Sequence, residues 1–116
     1  MIASIERASP ARRREALLAS VGRLCRRMVR QRYGKQFSSS RAQSVERTLQ
    51  RGVERIWALG FHLDDVKAIE AEHVQALVDS LAEMGYAATT VQSYVGVFRQ
   101  LGRWLAKPAL RDFSVK

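Results

Sequence analysis

Apolar residues recur along this chain at intervals of three and four, a spacing that places them on one face of an α-helix. No four-residue stretch shows the alternation expected of a β-strand, and the two prolines, Pro10 and Pro108, lie near the ends of the chain. The pattern predicts four amphipathic helices, over about 10–33, 41–59, 71–84, and from Ala88 or Thr89 to Lys107. The expected fold is therefore all-α, a compact four-helix bundle.

The apolar stripe of each predicted helix supplies the expected core. Its members are Leu17, Leu18, Val21, Leu24, Cys25, Met28, Val29, Ala42, Val45, Leu49, Val53, Ile56, Trp57, Val74, Leu77, Val78, Leu81, Val91, Tyr94, Val95, Phe98, Leu101, Trp104 and Leu105. Serines at 38–40 provide a cap for the second helix, and Gly60 and Gly85 end the second and third helices. The apolar residues of the connection 61–69 are expected to reach the core.

These elements also predict how the chain is divided. Residues 1–20 are expected to be an arm that is partly disordered or leads into the first helix. Residues 21–107 are expected to form the helical domain, and residues 108–116 a flexible tail. A length of 116 residues with 47% hydrophobic and 27% charged residues fits one globular domain.

Several features argue against an extracellular or membrane protein. No stretch approaches the roughly 18 apolar residues that a membrane span needs. The N-terminal residues lack the uninterrupted apolar core of a signal peptide. A lone cysteine, Cys25, cannot form an internal disulfide, and its place on the apolar stripe predicts a small core residue. The expected location is the cytoplasm.

The charge of the chain is concentrated in its first half. Residues 1–58 carry 14 basic and 4 acidic residues, a net charge of +10, whereas residues 59–116 carry 6 and 7, a net charge of −1. Of the 20 basic residues 16 are arginines, whose planar fork suits phosphate better than a lysine ammonium does. The charge pattern therefore predicts a polyanionic partner, most simply nucleic acid.

The sequence offers no catalytic or metal-binding constellation. His62 and His73 have no carboxylate or cysteine at metal-ligand spacing, and the glycines do not form a phosphate-binding loop. The pair Asp64–Asp65 begins a short turn and is interpreted as a cap or a solvated pair. We therefore expect no cofactor, and no catalysis by this chain alone.

Two polar stripes are better candidates for binding. On the second helix Arg47, Arg51 and Arg55 stand at successive i+4 positions, where like charges repel each other. Ser44 and Thr48 lie beside them. The fourth helix carries a second stripe of Gln92, Gly96, Arg99 and Arg103, with Ser93 and Gln100 beside it. Taken alone this stripe is typical of ordinary surface, and it becomes a candidate only because the second helix presents a matching face. A polyanion would turn the repulsion into attraction, and Gln, Ser and Arg side chains can reach base edges or phosphates.

Residues 21–107 resemble the N-terminal, core-binding domain of phage and integrative-element integrases of the tyrosine recombinase family. The resemblance rests on Leu59–Gly60–Phe61, Ile69, Glu72–His73–Val74–Gln75–Ala76–Leu77–Val78, Gly85, Thr90, Phe98–Arg99 and Trp104. It implies a small SAM-like helical bundle that forms half of a C-shaped clamp around duplex DNA at the attachment-site core. In such a clamp the second and fourth helices face the DNA, and the other half is a separate catalytic domain.

The resemblance and the two stripes together define the candidate DNA-binding residues. These are Arg41, Ser44, Arg47, Thr48, Arg51, Arg55, Thr89, Thr90, Gln92, Ser93, Arg99 and Arg103. Related integrases often have Lys-Asn-Arg after the threonine of the last helix, where this chain has Gln92–Ser93–Tyr94. Phosphate contact there is therefore expected through Arg99.

The resemblance also makes the chain part of a larger enzyme. Tyrosine recombinases use a tyrosine nucleophile and an H-x-x-R motif in the catalytic domain, and no H-x-x-R occurs in this sequence. The expectation is a domain cut from a longer integrase, with a natural remnant as the alternative. The expected partners are duplex DNA on the bacterial chromosome or a mobile element, the catalytic domain of the same protein and an oligomer on DNA, without a membrane.

Two other functions remain open from the residues alone. One is a helical protein-interaction domain whose basic face binds an acidic partner. The other takes the first helix as a basic amphipathic helix lying on a membrane surface. The apolar stripe of that helix lacks Trp and Phe and is needed for the bundle, which argues against the membrane reading.

Overall fold

The described residues, 10–28 and 39–115 of a computed structural model, form five α-helices and one 3₁₀ turn, without strands. The helices are α1 (Pro10–Met28), α2 (Ser39–Ala58), α3 (Ala71–Glu83), α4 (Ala88–Leu105) and the short α5 (Pro108–Arg111), with the 3₁₀ turn at Val66–Ala68 between α2 and α3. The first four are the helices that the apolar spacing predicts, so the all-α, four-helix fold is confirmed. The predicted continuation of α1 to Gly34, including Val29, lies outside the described residues.

The helix ends follow from local chemistry. Gly60 and Gly85 adopt φ angles of +109° and +80°, a region that strains residues with a Cβ atom, and each stands just past the end of a helix. Asp65 caps the 3₁₀ turn by accepting a hydrogen bond from the backbone N–H of Lys67 at 2.9 Å. The interpretation of this aspartate as a cap is confirmed.

The core lies where α2 and α4 pack against their neighbours. Helix α2 contacts α1, α3 and α4, and α4 also contacts α3 and α5. Phe98 of α4 is fully buried and lies directly on Gly52 of α2, where an added Cβ would stand 2.5 Å from the Phe98 ring. The apolar stripes predicted from the sequence form the core within the described residues. Some of their members are only partly buried at its edge: Leu18, Val45, Trp57, Val91, Tyr94 and Leu105.

The C-terminal residues are part of this core, which differs from the predicted flexible tail. Leu110 is fully buried and Phe113 is 6% exposed. An added Cβ at Gly102 would stand 2.3 Å from the backbone nitrogen of Arg111, so α5 lies against α4 at that glycine. Residues 108–113 are therefore folded, because α5 and the turn after it supply two apolar side chains to the core.

The N-terminal part of α1 agrees with the helix predicted from about residue 10. Residues 10–20 belong to α1, and Leu17 of this segment is fully buried. Ser20 is buried as well: its hydroxyl donates to the carbonyl oxygen of Leu17 at 2.6 Å and accepts from the backbone N–H of Val66 at 2.8 Å. Part of the predicted arm therefore anchors the 3₁₀ turn to α1.

The connection before α3 is fastened at its other end by Lys107. The Lys107 ammonium donates to the carbonyl oxygen of Ile69 at 2.9 Å, to a Glu70 carboxylate oxygen at 2.8 Å and to the carbonyl oxygen of Lys67. Lys107 stands two residues after the end of α4 and binds three acceptors from the segment before α3. These contacts hold the end of α4 next to the start of α3.

The buried Cys25 gives a first testable prediction. Burial raises the pKa of its thiol to about 12, with a further increase from the nearby Glu46 carboxylate. At pH 8 we expect the native thiol to react with a disulfide reagent at least about a hundredfold more slowly than the thiol of the chain unfolded in urea. Because an unfolded thiol ionises at lower pH than the buried one, the stability that Cys25 contributes should be lost as pH rises from about 9 to 12. Equal labelling rates in the native and unfolded chain would contradict this burial.

Candidate nucleic-acid interface

A polar groove separates the first half of α2 from the middle of α4. It has a volume of about 480 Å³ and is lined by Arg41, Ser44, Val45 and Thr48 of α2 and Gln92, Ser93, Gly96, Val97, Gln100 and Arg103 of α4. Six of the candidate residues therefore meet in one place. A Cβ added at Gly96 would touch nothing within 4 Å, so the wall of α4 is open to an approaching ligand there.

A second groove, which we call the aromatic groove, lies between the last half of α2 and the start of α4. Its volume is about 630 Å³, and its lining consists of Arg14, Arg51, Glu54, Arg55, Trp57, Ala58, Tyr86, Thr90 and Tyr94. Arg51, Arg55 and Thr90 are candidate residues from the sequence. The Arg14 guanidinium forms an ion pair with the Glu54 carboxylate beside the groove.

The two grooves share one stripe of α2. Arg41, Ser44 and Thr48 line the polar groove, and Arg51 and Arg55 continue the same face, because the spacings of three and four keep these positions aligned. At 1.5 Å per residue the stripe from Arg41 to Arg55 is about 21 Å long. That length matches roughly six base pairs of duplex DNA at 3.4 Å each.

The charges on α2 are poorly balanced within the protein. Arg47, Arg51 and Arg55 form no ion pair with any residue in the described ranges 10–28 and 39–115. Glu54, which lies nearest to them in sequence on the C-terminal half of α2, is bonded to Arg14 instead. No described ion pair therefore offsets the like charges at these three positions, and an anionic ligand would do so.

Three candidate residues line neither groove. Arg47 and Thr89 are exposed on α2 and α4, outside both linings. Arg99 is turned toward the C-terminal segment, where its Nε donates to the carbonyl oxygen of Phe113 at 2.7 Å. Arg99 therefore has one of its nitrogens engaged by Phe113, while Arg103, four residues further along α4, lines the polar groove.

Six residues of the aromatic groove were not among the sequence candidates: Arg14, Glu54, Trp57, Ala58, Tyr86 and Tyr94. Arg14 comes from α1, and only the packing of α1 on α2 brings it to Glu54. Trp57 stacks on His62 with ring centroids 4.2 Å apart, and its buried Nε1 has no hydrogen-bond partner among the residues described. Tyr86 lies in a turn, where helical periodicity carries no signal.

Two further pockets are lined by other parts of the fold. Arg23 and Arg27 of α1 line a separate pocket of about 320 Å³ together with Lys67 and Asp65. A groove of about 710 Å³ between α3 and the C-terminal segment is lined by Glu72, Asp79 and Asp112 and by the Phe113 ring. Three carboxylates would repel phosphate at that groove, so it is a poor candidate for binding DNA.

Within the described residues no helix is long and apolar enough to cross a membrane. In that same part of the chain no three side chains among His, Cys, Asp and Glu stand close enough to hold a metal ion together.

The comparison with family models identifies the domain. The model for the N-terminal domain of phage integrases matches residues 21–110, which includes α2 to α4 and most of α5. Neither the curated proteins nor the solved structures give a significant match. The matched range ends inside the folded C-terminal segment, close to the buried Leu110. The chain therefore belongs to the family of phage integrase N-terminal, SAM-like domains.

Proposed function

We propose that this chain is the DNA-binding module of a site-specific tyrosine recombinase and that it holds duplex DNA at the core of the attachment site through α2 and α4. The observation that carries the proposal is that Arg51 and Arg55 of α2 line an open groove and form no ion pair with the residues described. Membership of the integrase family supports DNA as the polyanion rather than an acidic protein.

The proposed contacts follow from the chemistry of each groove. Arg51, Arg55 and Arg103 bind phosphates, because their guanidinium groups lie at the groove walls without an ion pair in the described part of the chain. Arg41, Ser44, Thr48, Gln92 and Ser93 line the polar groove and contact phosphates or base edges. Arg47 and Thr89 join them at the exposed edge, and Thr90 lies at the aromatic groove. Arg99, whose Nε donates to the carbonyl oxygen of Phe113, remains a proposed phosphate contact through its terminal amino groups.

In this proposal the chemistry of recombination belongs to another part of the parent protein. The integrase family supports a parent enzyme that cleaves and joins DNA with a separate catalytic domain, acting on DNA in the bacterial cytoplasm. This chain would bind and position DNA. It would also contact the catalytic domain of the same protein and other copies assembled on the same site. It would form no covalent bond with DNA by itself.

Salt dependence tests this function. If the domain neutralises about five phosphates, a plot of log K against log salt for a labelled duplex should have a slope of about −4 to −5. Unlabelled non-specific duplex DNA should abolish the signal, whereas a competing acidic protein should displace DNA only weakly. The slope can be measured by fluorescence anisotropy between about 50 and 200 mM salt. No binding at low salt, or a slope near zero, would overturn the proposal.

A further inference from the structure

The aromatic groove differs in kind from the polar groove. Trp57, Tyr86 and Tyr94 line it, whereas no aromatic ring lines the polar groove. A duplex keeps its bases stacked inside and exposes only phosphates and base edges to a protein. It therefore presents no base face on which an aromatic side chain could stack. Aromatic side chains beside arginines are instead the usual surface for an unpaired nucleotide, whose base stacks on a ring.

Two of the three rings have a structural role that explains them. Trp57 stacks on His62 and packs against the core, and Tyr94 also packs against the core. Tyr86 is different, since it is 41% exposed and does not belong to the core or its edge. Packing therefore does not account for a large flat ring at this position.

The backbone holds Tyr86 in place. After α3 the backbone N–H of Tyr86 donates to the carbonyl oxygen of Leu81 at 3.1 Å. The backbone N–H of Gly85 donates to the carbonyl oxygen of Ala82 at 3.0 Å. These are the two hydrogen bonds of a Schellman motif, with Gly85 in the left-handed conformation. The ring is thus presented at the groove from a fixed point, so little backbone entropy is lost when a base stacks on it.

The charge of the groove fits a phosphate next to that base. Arg14, Arg51 and Arg55 face one carboxylate, Glu54, which leaves a net charge of +2 among the lining residues. Glu54 is bonded to Arg14, so Arg51 and Arg55 keep their charge available. A volume of about 630 Å³ lies within the range of pockets that bind ligands of nucleotide size.

We propose that the aromatic groove binds a single unpaired nucleotide of DNA, with its base on Tyr86 and its phosphate at Arg51 and Arg55. The inference rests on the proposed function, because the duplex beside that nucleotide would lie along the polar groove. The groove then distinguishes DNA with a displaced base from fully paired DNA, which arginines alone cannot do.

The test compares two DNAs that differ by one nucleotide. A labelled duplex with a single unpaired thymidine in its centre and the same duplex without it are titrated with the full chain by fluorescence anisotropy. The native chain should bind the bulged duplex about tenfold more tightly, which corresponds to about 1.4 kcal/mol of stacking. Tyr86→Leu should reduce this ratio to near one, and Tyr86→Phe should keep it.

Matched controls separate the possible outcomes. Met84→Leu changes another exposed side chain of the same turn, outside both grooves, and should leave the ratio unchanged. Thermal unfolding should show the same midpoint for all three variants. If the native chain bound the bulged and the fully paired duplex equally and tightly, the proposed nucleotide pocket would be wrong but the proposed function would stand. The same conclusion would follow if Tyr86→Leu kept the tenfold preference for the bulged duplex. If the native chain bound neither DNA, the proposed function would be wrong as well.

Discussion

Replacing Phe98 by alanine is expected to lower the free energy of unfolding by about 3–5 kcal/mol, the usual cost of emptying a buried aromatic site. Phe98 is fully buried where α4 lies against α2, and Gly52, the residue directly beneath its ring, has no side chain to fill the space. Since a domain of this size has a total stability of roughly 5–15 kcal/mol, the variant should be close to unfolding. A denaturant titration followed by circular dichroism measures the loss.

Gly52 and Gly96 supply the controls for this packing. A Cβ at Gly52 would stand 2.5 Å from Cε2 of Phe98, so Gly52→Ala should destabilise the native chain by about 1–3 kcal/mol. The same change should cost less when Phe98 is already leucine, and a double-mutant cycle measures that coupling. Gly96→Ala meets no atom within 4 Å and should be neutral or stabilising. If Gly52→Ala proved as harmless as Gly96→Ala, the close approach of the two helices would be wrong.

The second large effect concerns DNA. Replacing Arg51 and Arg103 by glutamine removes one proposed phosphate contact from each groove and takes the net charge from +9 to +7. At about 0.9 per contact the salt slope should flatten by nearly two, and affinity at 0.15 M salt should fall about thirtyfold. The same anisotropy titrations as for the native chain measure both quantities.

Arg23 and Arg27 of α1 are the matched control, because replacing both by glutamine also takes the net charge from +9 to +7. They line a separate pocket with Lys67 and Asp65, so the salt slope should change much less. Removing Arg51 relieves repulsion on α2 and should leave the fold intact. Equal losses from the two double variants would refute the assigned face, although general attraction to DNA would still stand.

The sequence predicted the four main helices because their apolar stripes are long enough to show a helical period. Leu49, Val53 and Ile56 of α2, for example, lie at the spacing of one helical face, and all three are fully buried. The segment after Pro108 was misjudged for the opposite reason. Helix α5 spans only four residues, too few to show a period, and the burial of Leu110 depends on contact with Gly102, which no local pattern reveals.

The candidate site was predictable in part for the same reason. Spacing along α2 and α4 identified most of the polar groove, since its lining residues share helical faces. It could not show that Arg99 bonds to Phe113, fourteen residues away, or that Arg14 of α1 reaches Glu54. The groups within reach of a long flexible side chain are determined by how the helices pack, so these contacts depend on tertiary structure.

The attachment of the C-terminal segment has a mechanical consequence. Tension applied to the chain at residue 115 would be carried by the buried Phe113 and Leu110 into α4, which contacts both α5 and α2. The hydrogen bond from Arg99 to Phe113 lies on the same path, within the helix that forms one wall of the polar groove. A pull at this end would therefore be transmitted directly to the helix that forms one wall of the polar groove.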